Sequence, residues 1–263
     1  MNKPQGLTRR KLVTKRLENK KAIITGGTTG LGFASAKRYL EEGAQVLITG
    51  RTNKTVDAAV EELGDGAFGL SSDVTNVSDL QRLSDTAKEI FGEGVDILFA
   101  NAGGAVIAPI EMADESDYTN QFDLNVKGAF FSVQKVLPLM RDYSSIIMTA
   151  SSVHGKGAPG GALYFASKAA VRSFARSMAA ELGPRGIRVN TISPGIVPTQ
   201  FFANSNLGEA GYDQYAETLV ASTPLARVGA AVEIAEATVY LGSDESSFVT
   251  ATDLVVDGGW ASV

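Results

Sequence analysis

Tyr164 and Lys168 stand four apart in Tyr164-Phe165-Ala166-Ser167-Lys168, a spacing that sets both on one helix face about a turn from each other. A phenol of reference pKa ~10 exchanges protons poorly at neutral pH, but a neighbouring ammonium stabilises the phenolate. The pair therefore suits protonation of a carbonyl being reduced, or deprotonation of an alcohol being oxidised. Taken alone, the same spacing also occurs on solvated helix faces. Thirteen residues upstream, Ser151 follows the apolar run Ile146-Ile147-Met148-Thr149-Ala150. That places its hydroxyl at a strand end, where it can hydrogen-bond a substrate oxygen and stabilise developing charge. Ser152 is a rival for this role.

A second constellation is Thr25-Gly26-Gly27-Thr28-Thr29-Gly30-Leu31-Gly32. Glycines here let the chain turn sharply and bring backbone N–H groups, together with the positive end of the following helix, against a pyrophosphate. Thr25, Gly26, Thr28, Thr29, Gly30, Leu31 and Gly32 are thus candidate dinucleotide-binding residues. A glycine-rich turn that binds nothing is the plainer alternative. About 20 residues further on, an NAD-selective site carries an acid for the ribose 2′-hydroxyl. Gly50 occupies that position, followed by Arg51, Thr52 and Asn53. A guanidinium suits a 2′-phosphate, so Arg51 and Thr52 point to NADP(H) as cofactor, with NAD(H) possible.

The elements that must position these groups follow from the apolar pattern. Strands are expected at Ala22–Thr25, Gln45–Thr49, Ala67–Ser71, Val95–Ala100, Ser145–Ala150, Ile187–Ile192 and Asp253–Val256. Helices are expected from about Leu31, Thr55, Ser78, Tyr118, Ala162 and Val232. Continuous apolar strands alternating with helices predict an α/β fold with a parallel sheet covered on both faces. No linker divides residues 17–263, which read as one domain with a long irregular stretch at about 198–224. A loop of that length in a compact domain is commonly a functional lid.

The 263 residues include no Cys and one His, His154. A Cys nucleophile and Cys-ligated zinc are excluded, and no metal site is expected. The chain carries a net charge of −5, yet its first 21 residues hold eight basic groups and one acid. Residues 1–16 therefore read as a basic, poorly ordered tail on an acidic body that would repel nucleic acid. The absence of an apolar run of about 18 residues, or of a secretory h-region, predicts a cytoplasmic protein with no membrane partner.

More motifs follow in order: Asp73-Val74, Asn101-Ala102-Gly103, Ser151, the Tyr164–Lys168 pair, Pro194-Gly195 and Asp257-Gly258-Gly259. With the glycine turn, this series resembles the short-chain dehydrogenase/reductase family from about Leu17 to Trp260. The resemblance implies a single doubly wound Rossmann-type domain, with a seven-stranded parallel sheet of order 3-2-1-4-5-6-7. It implies that Thr25, Gly26, Gly30 and Gly32 meet the pyrophosphate, Asp73 and Val74 the adenine, and Asn101, Ala102 and Gly103 the adenosine ribose side. Pro194, Gly195, Ile196 and Thr199 would hold the carboxamide, and Lys168 the nicotinamide ribose hydroxyls.

Tyr164, Lys168, Ser151 and Asn125 match the family's catalytic set, with Asn125 expected to hold a water that passes protons to Lys168. Ser151 is preferred to Ser152 because it aligns without a gap. The family often has Asn-Asn where this chain has Ala100-Asn101, and many NADP(H) members carry a basic residue at the position of Thr28. The expected activity is hydride transfer between NADP(H) and a small-molecule ketone or secondary alcohol, by a homo-oligomer, most simply a tetramer. A 3-oxoacyl thioester reductase, a sugar dehydrogenase and a non-catalytic dinucleotide-binding regulator are the alternatives. The 198–224 stretch has no Arg to select an anion. His154 borders the site, as a lining residue or a solvated loop residue, and is given no catalytic role.

Overall fold

The computed structural model describes residues 15–92, 94–200 and 216–263. Seven parallel strands form the sheet: β1 (Lys21–Ile24), β2 (Gln45–Gly50), β3 (Ala67–Ser71), β4 (Val95–Ala100), β5 (Met140–Thr149), β6 (Arg188–Pro194) and β7 (Asp253–Val256). Their order is β3-β2-β1-β4-β5-β6-β7. Ile23, Ile24, Val46 to Ile48, Ile97 to Phe99 and Ile146 to Met148 are fully buried, as strands covered on both faces require.

One face packs on α3 (Val77–Phe91), α5 (Gly128–Val136) and α6 (Ala162–Leu182) through Leu80, Leu83, Val133, Val171 and Ala175. The other packs on α1 (Gly30–Glu41) and α7 (Ala231–Gly242) through Ala36, Tyr39, Ile234 and Val239. Leu17 is fully buried in this second cluster. Arg16 bonds Glu42 and Glu236; of the stretch 1–16 read as a tail, residues 1–14 lie outside the described set.

Three expectations need correction. β5 begins at Met140 rather than Ser145, because Met140 pairs with Val95 across a register shift in β4. Tyr118 lies inside α4 (Glu115–Phe122), whose start is set earlier by a reciprocal cap between Asp114 and Asp117. Residues 216–221 are helical, interrupting the stretch read as loop; residues 201–215 lie outside the described set.

Candidate active site

The strand order reverses between β1 and β4, where an open parallel sheet leaves a crevice at the strands' carboxyl ends. Two residues stitch this point. Thr25 Oγ1 accepts from the backbone N–H groups of Asn101 and Ala102 at 3.0 and 3.1 Å. Asn101 Nδ2 donates to the carbonyls of Thr25 and Gly26 at 3.1 and 3.2 Å. Gly26 holds φ of +66°, a left-handed turn open to glycine. A Cβ on Gly32 would lie 2.2 Å from the Gly26 carbonyl oxygen. Thr25 and Gly32 therefore shape the turn from beneath, while Gly26, Thr28, Thr29, Gly30 and Leu31 face a cleft of about 910 Å³.

The same cleft is lined by Arg51, Asp73, Val74, Asn101, Ala102, Gly103, Pro194, Gly195, Ile196 and Thr199. Thr52 does not line it. Its hydroxyl instead accepts from Thr55 N–H as the N-cap of α2 (Asn53–Leu63).

The residues present fit a dinucleotide. The N-cap residue of α1, Thr29, makes no side-chain cap bond and the first turn holds no acid, leaving backbone donors for a diphosphate. Thr49 and Ser72, at the ends of β2 and β3, also line the cleft, and their buried hydroxyl oxygens have no partner. Their chemistry suits ribose or adenine. Neither stood out in sequence, although each directly precedes a flagged residue.

Ser151, Tyr164 and Lys168 line the cleft together. Lys168 is buried, and its Nζ donates to the Thr149 carbonyl at 2.9 Å and lies 5.8 Å from the Tyr164 ring centroid. Burial lowers its pKa to about 8. Ser151 caps a 3₁₀ turn (Ser152–Gly155), its Oγ accepting from Val153 N–H at 3.5 Å. Ser152 borders the cleft as well.

Asn125 sits in a π-helical turn (Asp123–Lys127) between α4 and α5, a device frequent at functional sites. Its Oδ1 accepts from Gly104 N–H at 2.9 Å, while Nδ2 donates to the Gly104 carbonyl at 2.9 Å and to Ser167 Oγ at 3.0 Å. Both side-chain donors are engaged, and the side chain ties the loop after β4 to Ser167 on α6. Gln121, which sequence reasoning missed, acts alike. Its Oε1 accepts from Val106 N–H at 2.6 Å and its Nε2 donates to the Gly104 carbonyl at 3.0 Å. Gln121 and Asn125 thus clamp the loop after β4, whose Gly103 passes close to both Asn125 Oδ1 and Lys168 Nζ.

His154 does not line the cleft. Its Nε2 lies 2.6 Å from Asp253 Oδ2 at the start of β7, and Asp253 Oδ1 accepts from Thr191 and Ser193 at 2.7 Å each. Among the described residues no helix is long and apolar enough to cross a membrane. No group of three or more His, Asp or Glu side chains in that set could hold a metal.

Residues 26–261 match the family model described as Enoyl-(Acyl carrier protein) reductase. "Oxidoreductase asL5" from Sarocladium schorii is 42% identical over 250 residues, covering 94% of this chain and 98% of the relative. A 3alpha-hydroxysteroid dehydrogenase from Mediterraneibacter gnavus is 39% identical, covering 92% and 97%. An NADP-dependent (R)-specific alcohol dehydrogenase from Lentilactobacillus kefiri is 35% identical, covering 95% and 100%. The crystal structure of a short-chain type dehydrogenase/reductase from Mycobacterium marinum superposes with a TM-score of 0.87 at 30% identity, covering 96% of this chain and 99% of that one. Sheet order, cleft architecture and near full-length similarity agree, and the chain belongs to the short-chain dehydrogenase/reductase family.

Proposed function

We propose that this chain interconverts a ketone and a secondary alcohol with NADP(H) as its preferred cofactor, using Ser151, Tyr164 and Lys168 at the reacting centre and Asn125 to position it. The observation that carries this reading is the buried Lys168 ammonium anchored on Thr149 beside Tyr164, at the strand end that presents Ser151. A bound nicotinamide dinucleotide supplies or accepts the hydride. In the reducing direction the Tyr164 hydroxyl gives its proton to the carbonyl oxygen, and the Lys168 cation stabilises the phenolate left behind. Ser151 donates a hydrogen bond to the same oxygen as charge develops on it.

The glycine turn and the uncapped start of α1 hold the diphosphate. Arg51, on the cleft wall beyond a side-chain-free Gly50, pairs with a 2′-phosphate. Relatives named as a hydroxysteroid dehydrogenase and an NADP-dependent alcohol dehydrogenase support the same class of reaction.

The test is to incubate the protein with NADPH or NADH and a panel of ketones, following the absorbance of the reduced nicotinamide, with Tyr164→Phe as control. Turnover by the unmodified protein that the variant lacks supports the reading. No turnover of any ketone or secondary alcohol with either cofactor overturns it.

A further inference from the structure

The cleft's lining includes the apolar Val106, Ile107, Val153, Pro159, Leu219 and Trp260. Among the described residues four charged side chains border the cleft: Arg51, Asp73, Lys168 and Asp257. Arg51 and Asp73 lie at the ends of β2 and β3, away from this region. Lys168 bonds Thr149. Asp257 accepts from the backbone N–H groups of Gly259 and Ala261 at 2.8 and 2.7 Å, folding the turn that presents Trp260. The 198–224 stretch contains no Lys or Arg. Among the described lining residues the cation here is Lys168, tied to Thr149, and Lys156 is held on the Trp260 carbonyl, so an anionic substrate would be desolvated with little compensation, which is costly.

Trp260 is the only tryptophan of the chain, and Lys156 braces it. Lys156, on the loop between Ser151 and Tyr164, donates from Nζ to the Trp260 carbonyl at 3.1 Å and stands 4.3 Å from the indole centroid. That is the geometry of a cation held over an aromatic face. The turn before it is held as well: the Leu225 N–H donates to the Gly258 carbonyl, and Gly259 packs on Pro224. An indole under a lysine cation, on a turn fixed by Asp257, offers a flat apolar surface with little entropy left to lose.

We infer that Trp260, braced by Lys156, is the wall on which the body of the substrate packs, so that the site selects an uncharged ring-bearing ketone or secondary alcohol over an anionic one. This rests on the ketone and secondary-alcohol reading above.

The experiment uses three ketones of equal carbon count with NADPH: 4-methylcyclohexanone, 2-heptanone and 4-oxocyclohexanecarboxylate. The expected kcat/KM falls in that order, with the first at least about tenfold above the last. Trp260→Ala lowers kcat/KM for the ring ketone about tenfold, mainly through KM, and changes that of 2-heptanone far less. Trp260→Phe restores most of the loss, and Lys156→Met gives an intermediate one. If Trp260→Ala does not fold, the other two variants carry the same comparison.

Binding is read separately from turnover by titrating 4-methylcyclohexanone into the NADP⁺ complex of Tyr164→Phe, where a saturable change in Trp260 emission is expected. Equal or better use of the carboxylate, equal losses for ring and chain, or an emission that ignores the ketone would each overturn the inference. An emission that responds while no probe is turned over by the unmodified protein upholds the packing surface and defeats the assigned activity instead.

Discussion

A Cβ placed on Gly50 would stand 2.5 Å from Thr28 Cγ2 and 3.0 Å from Thr28 Oγ1. The Thr28 side chain thus fills the space that a side chain at the end of β2 would enter, so the absence of one at Gly50 and the bulk of Thr28 go together. The unmodified protein is expected to prefer NADPH. Arg51→Ala should cut the NADPH-to-NADH ratio of kcat/KM about tenfold, mostly through KM for NADPH. Gly50→Asp alone meets Thr28, so its gain with NADH should be smaller than in a Thr28→Ala background, a non-additivity expected of touching residues. Additive effects, or a ratio that Arg51→Ala leaves unchanged, would count against the assignment.

Tyr164→Phe keeps the ring and removes the titrating hydroxyl. NADP⁺ should still bind while turnover drops by about 10² to 10⁴. Ser151 and Ser152 both border the cleft, but their side chains leave the chain in different directions, and a single hydroxyl meets the substrate oxygen. Ser151→Ala should therefore lose far more kcat than Ser152→Ala. The opposite ranking would move the role to Ser152.

Lys168 costs the cofactor-free fold stability. Burial lowers its pKa from 10.5 to about 8, so between those values the unfolded chain holds a proton that the folded chain does not. Stability then rises with pH across that window, and below about pH 8 the penalty is fully present. Lys168→Met is expected to stabilise the cofactor-free protein at pH 7 by about 2 kcal/mol, after the lost bond to Thr149 is counted. The gap should close towards pH 10.5, as urea denaturation at several pH values would show. The same variant should lose NADP⁺ affinity and turnover. In the unmodified protein, ketone reduction should decline above about pH 8 as the ammonium is lost. A variant less stable than the parent at pH 7 would refute this account.

The sheet was legible because its central strands are unbroken apolar runs, and the glycine turn because its backbone demands glycine at fixed places. Contacts between distant segments were not. Met140 starts β5, five residues ahead of the strand expected from Ser145. Tyr143 takes a positive φ of 64° and its ring packs against Gly186, a partner 43 positions away. Asn125 was found from its motif, but its engagement with Gly104 and Ser167 depends on a π turn that periodicity does not announce. Trp260 lies near the chain end and reaches the cleft through the Asp257 turn, so only folding shows what it touches.

His154 and Asp253 are 99 positions apart and meet at 2.6 Å. Because His154 belongs to the turn capped by Ser151, the pair pins that turn to the edge of the sheet. His154→Leu leaves Asp253 partly buried with only Thr191 and Ser193 as donors, which should cost about 1–3 kcal/mol of stability. It should also lower kcat several-fold while NADP⁺ affinity holds, since the diphosphate site is on other elements. His154→Gln, which can still donate to Asp253, should recover part of both. An unaltered kcat in His154→Leu would show that the turn keeps its place without the pair.

Glu42 follows α1, only 6% exposed, and joins three segments far apart in sequence. It receives the backbone N–H of Arg16 at 2.8 Å and the Arg38 guanidinium, and Arg16 and Arg38 both reach Glu236 on α7. Burial by itself would raise the Glu42 carboxyl, but the Arg16 hydrogen bond and the Arg38 charge outweigh it and hold the carboxyl below its ordinary value. Glu236 is lowered as well, first by its hydrogen bond from Arg38. A carboxylate depressed in the folded state stabilises above its unfolded pKa of 4.5 and loses that contribution as pH falls through the folded value. Glu42→Gln should therefore cost about 2 kcal/mol at pH 7, and the gap to the unmodified protein should narrow as pH drops below 4.5. Arg16→Met should be destabilising too, and combining it with Glu42→Gln should cost less than the two separately, because each change removes the same bond. A pH-independent gap, or strict additivity, would mean that Leu17 packing rather than the ion network holds this segment against α1 and α7.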